Sequence, residues 1–260
     1  MPYLTVAGEI VHYVYRQGQR AVRPSLVIIH GVGGSHHLWL YQLRGLPQVS
    51  SYALDLPGHG HSAGQGQDSI AAYTDWLVAF LDAAGLEQAV LVGHSMGGAI
   101  ALDTALRYPK RVASLCLMAT GARLRVAPAV LDGLRHDLPA TVHLLARWCY
   151  SPQASPEMIR LGEQQMTATS PNVLHNDFSA CNAFDVTGRL REIVAPTIVV
   201  CGTEDQMTLP KYAAYLCDNI PGAALHLIEG AGHMVMLEKP YEVTAILAKG
   251  LQFKTGDPEP

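Results

Sequence analysis

The sequence predicts an α/β protein: a doubly wound, mostly parallel sheet that carries one helical insert. Short apolar runs recur without polar alternation, which suits strands buried on both faces. Between them lie segments with apolar residues at helical spacing. Strand–helix alternation of this kind implies a doubly wound sheet with right-handed crossovers.

Residues 1–16 alternate weakly and read as a hairpin, Tyr3-Leu4-Thr5-Val6 and Ile10 to Tyr15 about a turn at Gly8-Glu9. Six continuous apolar runs follow: Leu26–Ile29, Tyr52–Leu54, Ala89–Val92, Val112–Met118, Thr197–Val200 and Ala224–Ile228. With the hairpin they make eight strands. A helix is predicted over Asp68–Ala84, where Ile70, Tyr73, Leu77, Phe80 and Leu81 share one face. Another, Ser95–Tyr108, ends where Pro109 forbids continuation. Pro210–Asp218 and Tyr241–Leu251 fit the same pattern.

From Gly121 to Phe184 there is no strand-like run, and Pro128, Pro139, Pro152, Pro156 and Pro171 divide the segment into four helical pieces. The expected organisation is a core of 1–120 and 185–260 with an insert, 121–184, capping the edge of the sheet. His143, Arg147, Trp148, Met158, Met166 and Phe178 are expected to be mostly contacts between insert helices. The tail from Thr255 to Pro260 is expected to fray.

Composition narrows the function. The chain has 260 residues, 49% hydrophobic and 15% charged, which excludes a disordered protein. Its net charge of −4 and lack of a Lys/Arg block argue against nucleic acid as a partner and against a polybasic membrane anchor. No apolar stretch is long enough to span a bilayer, and Met1-Pro2-Tyr3-Leu4-Thr5 lacks the pattern of a signal peptide. Five cysteines, odd in number and set mostly among apolar neighbours, read as reduced core residues of a cytoplasmic protein.

The chemistry is concentrated in Gly93-His94-Ser95-Met96-Gly97-Gly98, which follows a predicted strand and opens a predicted helix. In that context G-x-S-x-G places a serine on a tight strand-to-helix turn. Glycines at 93 and 97 remove the clashes such a turn creates, and the helix start supplies free N–H groups beside the hydroxyl. A serine hydroxyl needs a base. His233, in Gly230-Ala231-Gly232-His233-Met234, follows the last predicted strand and is the candidate. Glu204 and Asp205, after the preceding strand, are two carboxylates able to orient it. An oxyanion would be held by the backbone N–H of Met96 and of Val32, the latter in His30-Gly31-Val32-Gly33-Gly34-Ser35.

These residues resemble the α/β-hydrolase superfamily. The resemblance covers nearly the whole chain. It rests on His30 to Ser35, Asp55-Leu56-Pro57-Gly58-His59-Gly60-His61-Ser62, the elbow, Gly202-Thr203-Glu204-Asp205, and Gly232-His233 with Glu238-Lys239-Pro240. It implies an eight-stranded α/β-hydrolase fold with a helical cap, an acid at Asp205 rather than Glu204, and the order Ser95, Asp205, His233. It also implies a structural role for the loop that holds His59.

The expected activity is that of a serine hydrolase of carboxylesterase type, cleaving small carboxylic esters, lactones or thioesters through an acyl-enzyme on Ser95. Two other readings share the fold. One is a carbon–carbon bond hydrolase of the meta-cleavage type, whose members usually carry Asn before the nucleophile and Trp after the catalytic His, where this chain has His94 and Met234. The other is a small-molecule receptor that keeps its triad. The twelve histidines include His36-His37 and His59-x-His61, but no H-E-x-x-H or paired C-x-x-C context, so no metal is expected. Gly31-Val32-Gly33-Gly34 lacks dinucleotide spacing, so no cofactor is expected either. The partner is a small-molecule ester, and the chain a monomer or homodimer.

Overall fold

The computed structural model describes residues 2–19, 22–250 and 254–255. The chain runs β1 (Tyr3–Val6), β2 (Glu9–Arg16), β3 (Val22–Ile29), α1 (Leu40–Gly45), β4 (Val49–Leu54), α2 (Ile70–Ala83), β5 (Ala89–His94), α3 (Met96–Arg107) and β6 (Val112–Met118). Four helices follow: α4 (Pro128–His136), α5 (Leu138–Cys149), α6 (Pro156–Thr167) and α7 (Pro171–Ala183). It then returns to the sheet with β7 (Thr197–Gly202), α8 (Pro210–Asn219), β8 (Ala224–Ile228), α9 (Val235–Glu238), α10 (Pro240–Gly250) and β9 (Lys254–Thr255).

The strands form one sheet in the order β1-β2-β4-β3-β5-β6-β7-β8, with β9 pairing the start of β3. β1–β2 and β2–β4 are antiparallel, and every pairing from β4 to β8 is parallel. The two-residue β9 adds a ninth strand to the eight expected. Of the tail expected to fray, Thr255 sits in that strand, and the rest lies outside the described residues, as does Leu251 of the last predicted helix. The hairpin turn falls at Ala7-Gly8, one residue early. Both residues have positive φ (49° and 86°), as a two-residue turn between right-twisted strands requires.

The absence of alternation in the runs has a simple cause. Val27, Ile29, Leu91 and Leu117 pack with α2 and α3, while Leu26, Ile28, Val92 and Met118 pack on the other face with Leu43, Val243 and Leu247 of α1 and α10. Both faces are covered there, so consecutive strand positions are mostly apolar. In the 121–184 segment prolines begin helices. Pro128, Pro156 and Pro171 occupy the first helical position, where a missing N–H costs nothing. These helices bury Val130, Leu134, Val142, Leu145, Leu174 and Phe178 against one another. His143, Arg147 and Trp148, read as contacts between the helices, are exposed instead. They lie on the outer face of α5, opposite Val142 and Leu145.

Chain order places the site. From β3 the chain moves to β4 on one side, then to β5 on the other side of β3. Ligands of open α/β sheets bind at the carboxyl ends of strands where the winding reverses. The loops leaving β3 and β5 flank that point.

Candidate active site

Ser95 lies between β5 and α3 at φ 53°, ψ −117°, a backbone conformation rare for a residue with a side chain. Its surroundings hold it there. The Ser95 N–H donates to the Met118 carbonyl at 3.0 Å, and its own carbonyl accepts from Gly98 N–H and from the Thr120 hydroxyl at 2.9 and 2.8 Å. A Cβ at Gly93 would lie 2.2 Å from the Gly97 carbonyl oxygen, and one at Gly97 would lie 2.3 Å from that of Ile29. No side chain fits at either position. A Cβ at Gly31 would come within 2.9 Å of the Ser95 Cβ, so the glycine loop after β3 closes directly on the elbow.

Asp205 and His233 are brought together. His233 Nδ1 lies 3.0 Å from Asp205 Oδ2, and both residues are buried. Asp205 also accepts the N–H groups of Met207 and Thr208, each at 2.8 Å, and the Thr208 hydroxyl at 2.8 Å. Burial alone would raise the Asp205 pKa. The charge and hydrogen bond of His233, with the Thr208 contacts, outweigh it and hold the carboxyl below its ordinary value. Glu204, the other carboxylate considered, is not among the groups bonded to His233. Ser95 and His233 face one cavity of about 470 Å³. No hydrogen bond joins the Ser95 hydroxyl to His233 among the described residues, and such contacts often tighten only when substrate is bound.

Thr208 is a candidate site residue that sequence reasoning missed. Its hydroxyl donates to Asp205 and lies 3.2 Å from His233 Nδ1, which it shares with the carboxylate. The signal was local: an Asp followed two and three residues later by N–H groups that turn back onto its side chain. Hydrogen bonds to charged groups are worth roughly 1.5–3 kcal/mol. Thr208→Val is therefore expected to lower kcat by about one to two orders of magnitude with little change in KM, measured by steady-state kinetics.

The glycine loop after β3 is held on both sides. His30 is fully buried. Its Nε2 accepts the Leu56 N–H at 3.0 Å, so Nδ1 carries the proton and donates to the Gly31 carbonyl at 2.7 Å. Burial, with His59 nearby, pushes the His30 pKa down to about 3, so the ring is neutral. From the helical segment, Gln165 donates to the Ser35 hydroxyl at 3.0 Å. Among the described residues neither the Val32 nor the Met96 amide has a protein acceptor. Val32 and its three flanking glycines line the cavity, and Met96 begins α3.

The His233 loop is anchored by Glu238, whose carboxylate accepts the N–H groups of Gly232 and Ser151 at 2.9 and 3.0 Å. His94 donates Nε2–H to the His233 carbonyl at 3.0 Å. Burial and the adjacent His233 push the His94 pKa to about 3, so it adds no positive charge beside His233. Trp39, in the turn before α1, is buried with its ring 6.5 Å from His94, behind the elbow. The five cysteines carry free thiols, four of them buried. Two, Cys149 and Cys181, line the cavity. Burial pushes the Cys149 thiol up to about 12, and Cys181 is raised further, so neither is a thiolate at neutral pH.

Two buried polar clusters flank the site. Asp55 accepts Nδ1–H from His12 at 2.8 Å and from His36 at 2.9 Å, plus the His36 and His61 amides at 2.8 and 3.0 Å. Burial would raise Asp55, but His36 and the amides hold it well below the carboxylate range. His12, His36 and Asp55 present three metal-capable side chains within 4.8 Å. The two Nδ1 protons that bridge to the carboxylate fill that space, so a cation would have to displace them. The second cluster joins His59, Asp177 of α7 and Tyr73 of α2. His59 Nε2 lies 2.9 Å from Asp177 Oδ2, and the Tyr73 hydroxyl donates to Asp177 Oδ1 at 2.5 Å. The structural role expected of the His59 loop thus has a partner 118 residues away, in the helical segment.

Among the described residues no helix is long and apolar enough to cross a membrane. A family model described as the alpha/beta hydrolase family matches residues 26–246. Over 241 residues the chain is 31% identical to a pimeloyl-[acyl-carrier protein] methyl ester esterase of Neisseria meningitidis serogroup B, covering 85% of this chain and 92% of that protein. A solved thermophilic esterase is 34% identical with a TM-score of 0.84, over 95% of both chains. An enzyme that degrades N-acyl homoserine lactones is 28% identical with a TM-score of 0.87, over 96% of this chain and 100% of its own. A serine on a strained strand–helix elbow, a carboxylate-bound imidazole facing the same cavity and this family match agree, and the chain is an enzyme of the alpha/beta hydrolase family.

Proposed function

We propose that this enzyme is a serine carboxylic-ester hydrolase whose nucleophile is Ser95, base His233 and orienting acid Asp205. The observation that carries this reading is the 3.0 Å contact of His233 Nδ1 with a buried Asp205, on a ring that shares its cavity with Ser95. With Nδ1 committed to the carboxylate, Nε2 is the nitrogen left to take the hydroxyl proton. As Ser95 Oγ attacks the acyl carbon, the carbonyl oxygen gains charge. The Val32 and Met96 amides hold it, each worth about 3–4 kcal/mol in the transition state. The imidazolium then protonates the leaving alkoxide, and an acyl-Ser95 ester remains. Water, deprotonated by the same nitrogen, releases the acid and restores the serine.

In this reading residues 121–184 are a cap over a core of 1–120 and 185–260, and no cofactor or metal takes part. Medium-length acyl chains suit the apolar cavity walls supplied by Ala146, Met166 and Phe178. Free thiols fit a cytoplasmic setting, and the chain works as a monomer or homodimer. The relatives named above as esterases support esters as substrates, and the lactone-degrading neighbour makes lactones the second class to try.

A panel of p-nitrophenyl, methyl and lactone substrates tests the proposal. Multiple turnover of open-chain esters is expected, with Asp205→Asn lowering kcat by about four orders of magnitude. A single turnover followed by arrest would instead favour a receptor. Faster cleavage of a vinylogous diketone than of any ester would favour the carbon–carbon hydrolase.

A further inference from the structure

The cavity above Ser95 changes character at its mouth. The wall that leads there is the segment after β6. It starts at Thr120, whose hydroxyl holds the Ser95 carbonyl at 2.8 Å. It passes Gly121, where a Cβ would touch Tyr212 of α8 at 3.4 Å. From Ala122 to Arg125 burial alternates, with Ala122 and Leu124 buried and Arg123 and Arg125 exposed. The Ala122 carbonyl accepts the Val186 N–H at 2.8 Å, and Arg123 pairs with Asp185 in an isolated antiparallel bridge. The bridge fixes the backbone at Arg123, and the exposed side chains of Arg123 and Arg125 flank the buried Leu124. Both arginines line the cavity.

Their charge is only partly matched. Arg123 Nε meets Asp185 Oδ2 at 3.4 Å, while Asp185 Oδ1 is taken by the Thr187 N–H and hydroxyl at 3.1 and 2.8 Å. Arg125 donates Nη1–H to the Asn182 carbonyl at 3.3 Å, and no carboxylate lies within 4 Å of it among the described residues. Of these two guanidinium groups only Arg123 meets a carboxylate, on a protein whose net charge is −4. Tyr212 and Tyr215, both about 40% exposed, complete the same rim. The interior between rim and elbow is apolar, with Leu124, Val126, Met166, Phe178 and Cys181 on its walls. The three Cα–Cα steps from Thr120 to Arg123 span at most about 10 Å.

Resting on the ester-hydrolase reading above, we propose that the preferred substrates are esters whose acyl chain ends in an anion. The ester carbonyl sits at Ser95, a run of a few methylenes fills the apolar tunnel, and a terminal carboxylate or phosphate meets Arg123 and Arg125 at the mouth. Guanidinium forks match both anions with paired hydrogen bonds. The chemistry is unchanged by the anion: water adds across the ester bond, an alcohol leaves, and a chain with an acid at each end is released.

The test compares kcat/KM, by released methanol, for three methyl esters of equal chain length: a dicarboxylic half-ester, an ω-phosphorylated acyl ester and a neutral fatty acyl ester. It uses the wild type, Arg125→Gln, which leaves the Arg123–Asp185 pair intact, and Arg123→Gln/Arg125→Gln. In the wild type the anionic esters are expected to lead the neutral one by about tenfold, the larger lead telling carboxylate from phosphate. The double variant is expected to reduce that ratio about tenfold through KM, with Arg125→Gln between. About 1 M salt, where the screening length is near 3 Å, is expected to erode the wild-type ratio as well. A wild type that prefers the neutral ester, or a ratio indifferent to both arginines and salt, overturns the proposal while leaving the ester hydrolase standing. Failure to cleave any of the three overturns both.

Discussion

Replacing Ser95 by alanine is expected to lower kcat/KM for a p-nitrophenyl acyl ester by roughly four to six orders of magnitude, with the fold intact. The size of the loss follows from the proposed route. Without the hydroxyl there is no covalent intermediate, and the free amides of Val32 and Met96 are left with only water to assist. Folding does not depend on that oxygen, because the contacts of Ser95 that hold the elbow are made by its backbone N–H and carbonyl. The same geometry separates glycine from alanine. At φ 53° and ψ −117° a Cβ is strained. Strain of this kind is worth about 1–3 kcal/mol, so Ser95→Gly is expected to melt several degrees above Ser95→Ala while being equally inactive. Retention of most activity in Ser95→Ala would contradict the assignment of the nucleophile.

The largest effect on stability is expected at Asp177. This carboxylate is fully buried between His59 and Tyr73 and ties α7 to the loop after β4 and to α2. Burial alone would lower the His59 pKa. The charge of Asp177, 2.9 Å away, and the Pro57 carbonyl outweigh burial and raise it. Removing one partner of a buried pair strands the other and costs roughly 3–5 kcal/mol. Asp177→Ala is therefore expected to lower the melting temperature by about 10 °C or more. The sign of the pH dependence follows from the raised pKa. Its contribution is complete below the ordinary value of 6.5 and is lost as pH rises through the higher folded value. The gap between wild type and Asp177→Ala is thus expected to be wider near about pH 6 than near about pH 9. A gap that widened with pH would mean that His59 is neutral in the folded protein. Because the His30 and His59 rings lie 4.8 Å apart, and His30 holds Gly31, activity is expected to fall along with stability.

What was legible in the sequence was what local pattern encodes. Runs such as Leu115-Cys116-Leu117 are apolar throughout because helices cover both faces of β6, and that requirement leaves a mark on consecutive residues. The elbow was legible for the same reason: the glycines at 93 and 97 answer backbone atoms only a few ångströms away. Proline positions announced the four helices between β6 and β7, although they start helices rather than end them. What escaped was chemistry made by distant pieces of chain. Asp177 and His59 are unremarkable apart and form a buried carboxylate–imidazole pair together. His12 lay in a weakly alternating hairpin, with nothing to suggest that its ring shares Asp55 with His36. Short α1 and α9 were missed because one or two turns carry no readable period. Thr208 had a local signal, but its value became visible only once the carboxylate and imidazole were seen to share its hydroxyl.

The most direct test is covalent labelling with a fluorophosphonate, followed by mass mapping of the modified peptide. The adduct is expected once per chain, on Ser95, formed slowly in His233→Ala and absent in Ser95→Ala. Labelling at any other residue, or full esterase turnover by a protein whose Ser95 never reacts, would contradict a nucleophile at the elbow and the proton route built on it.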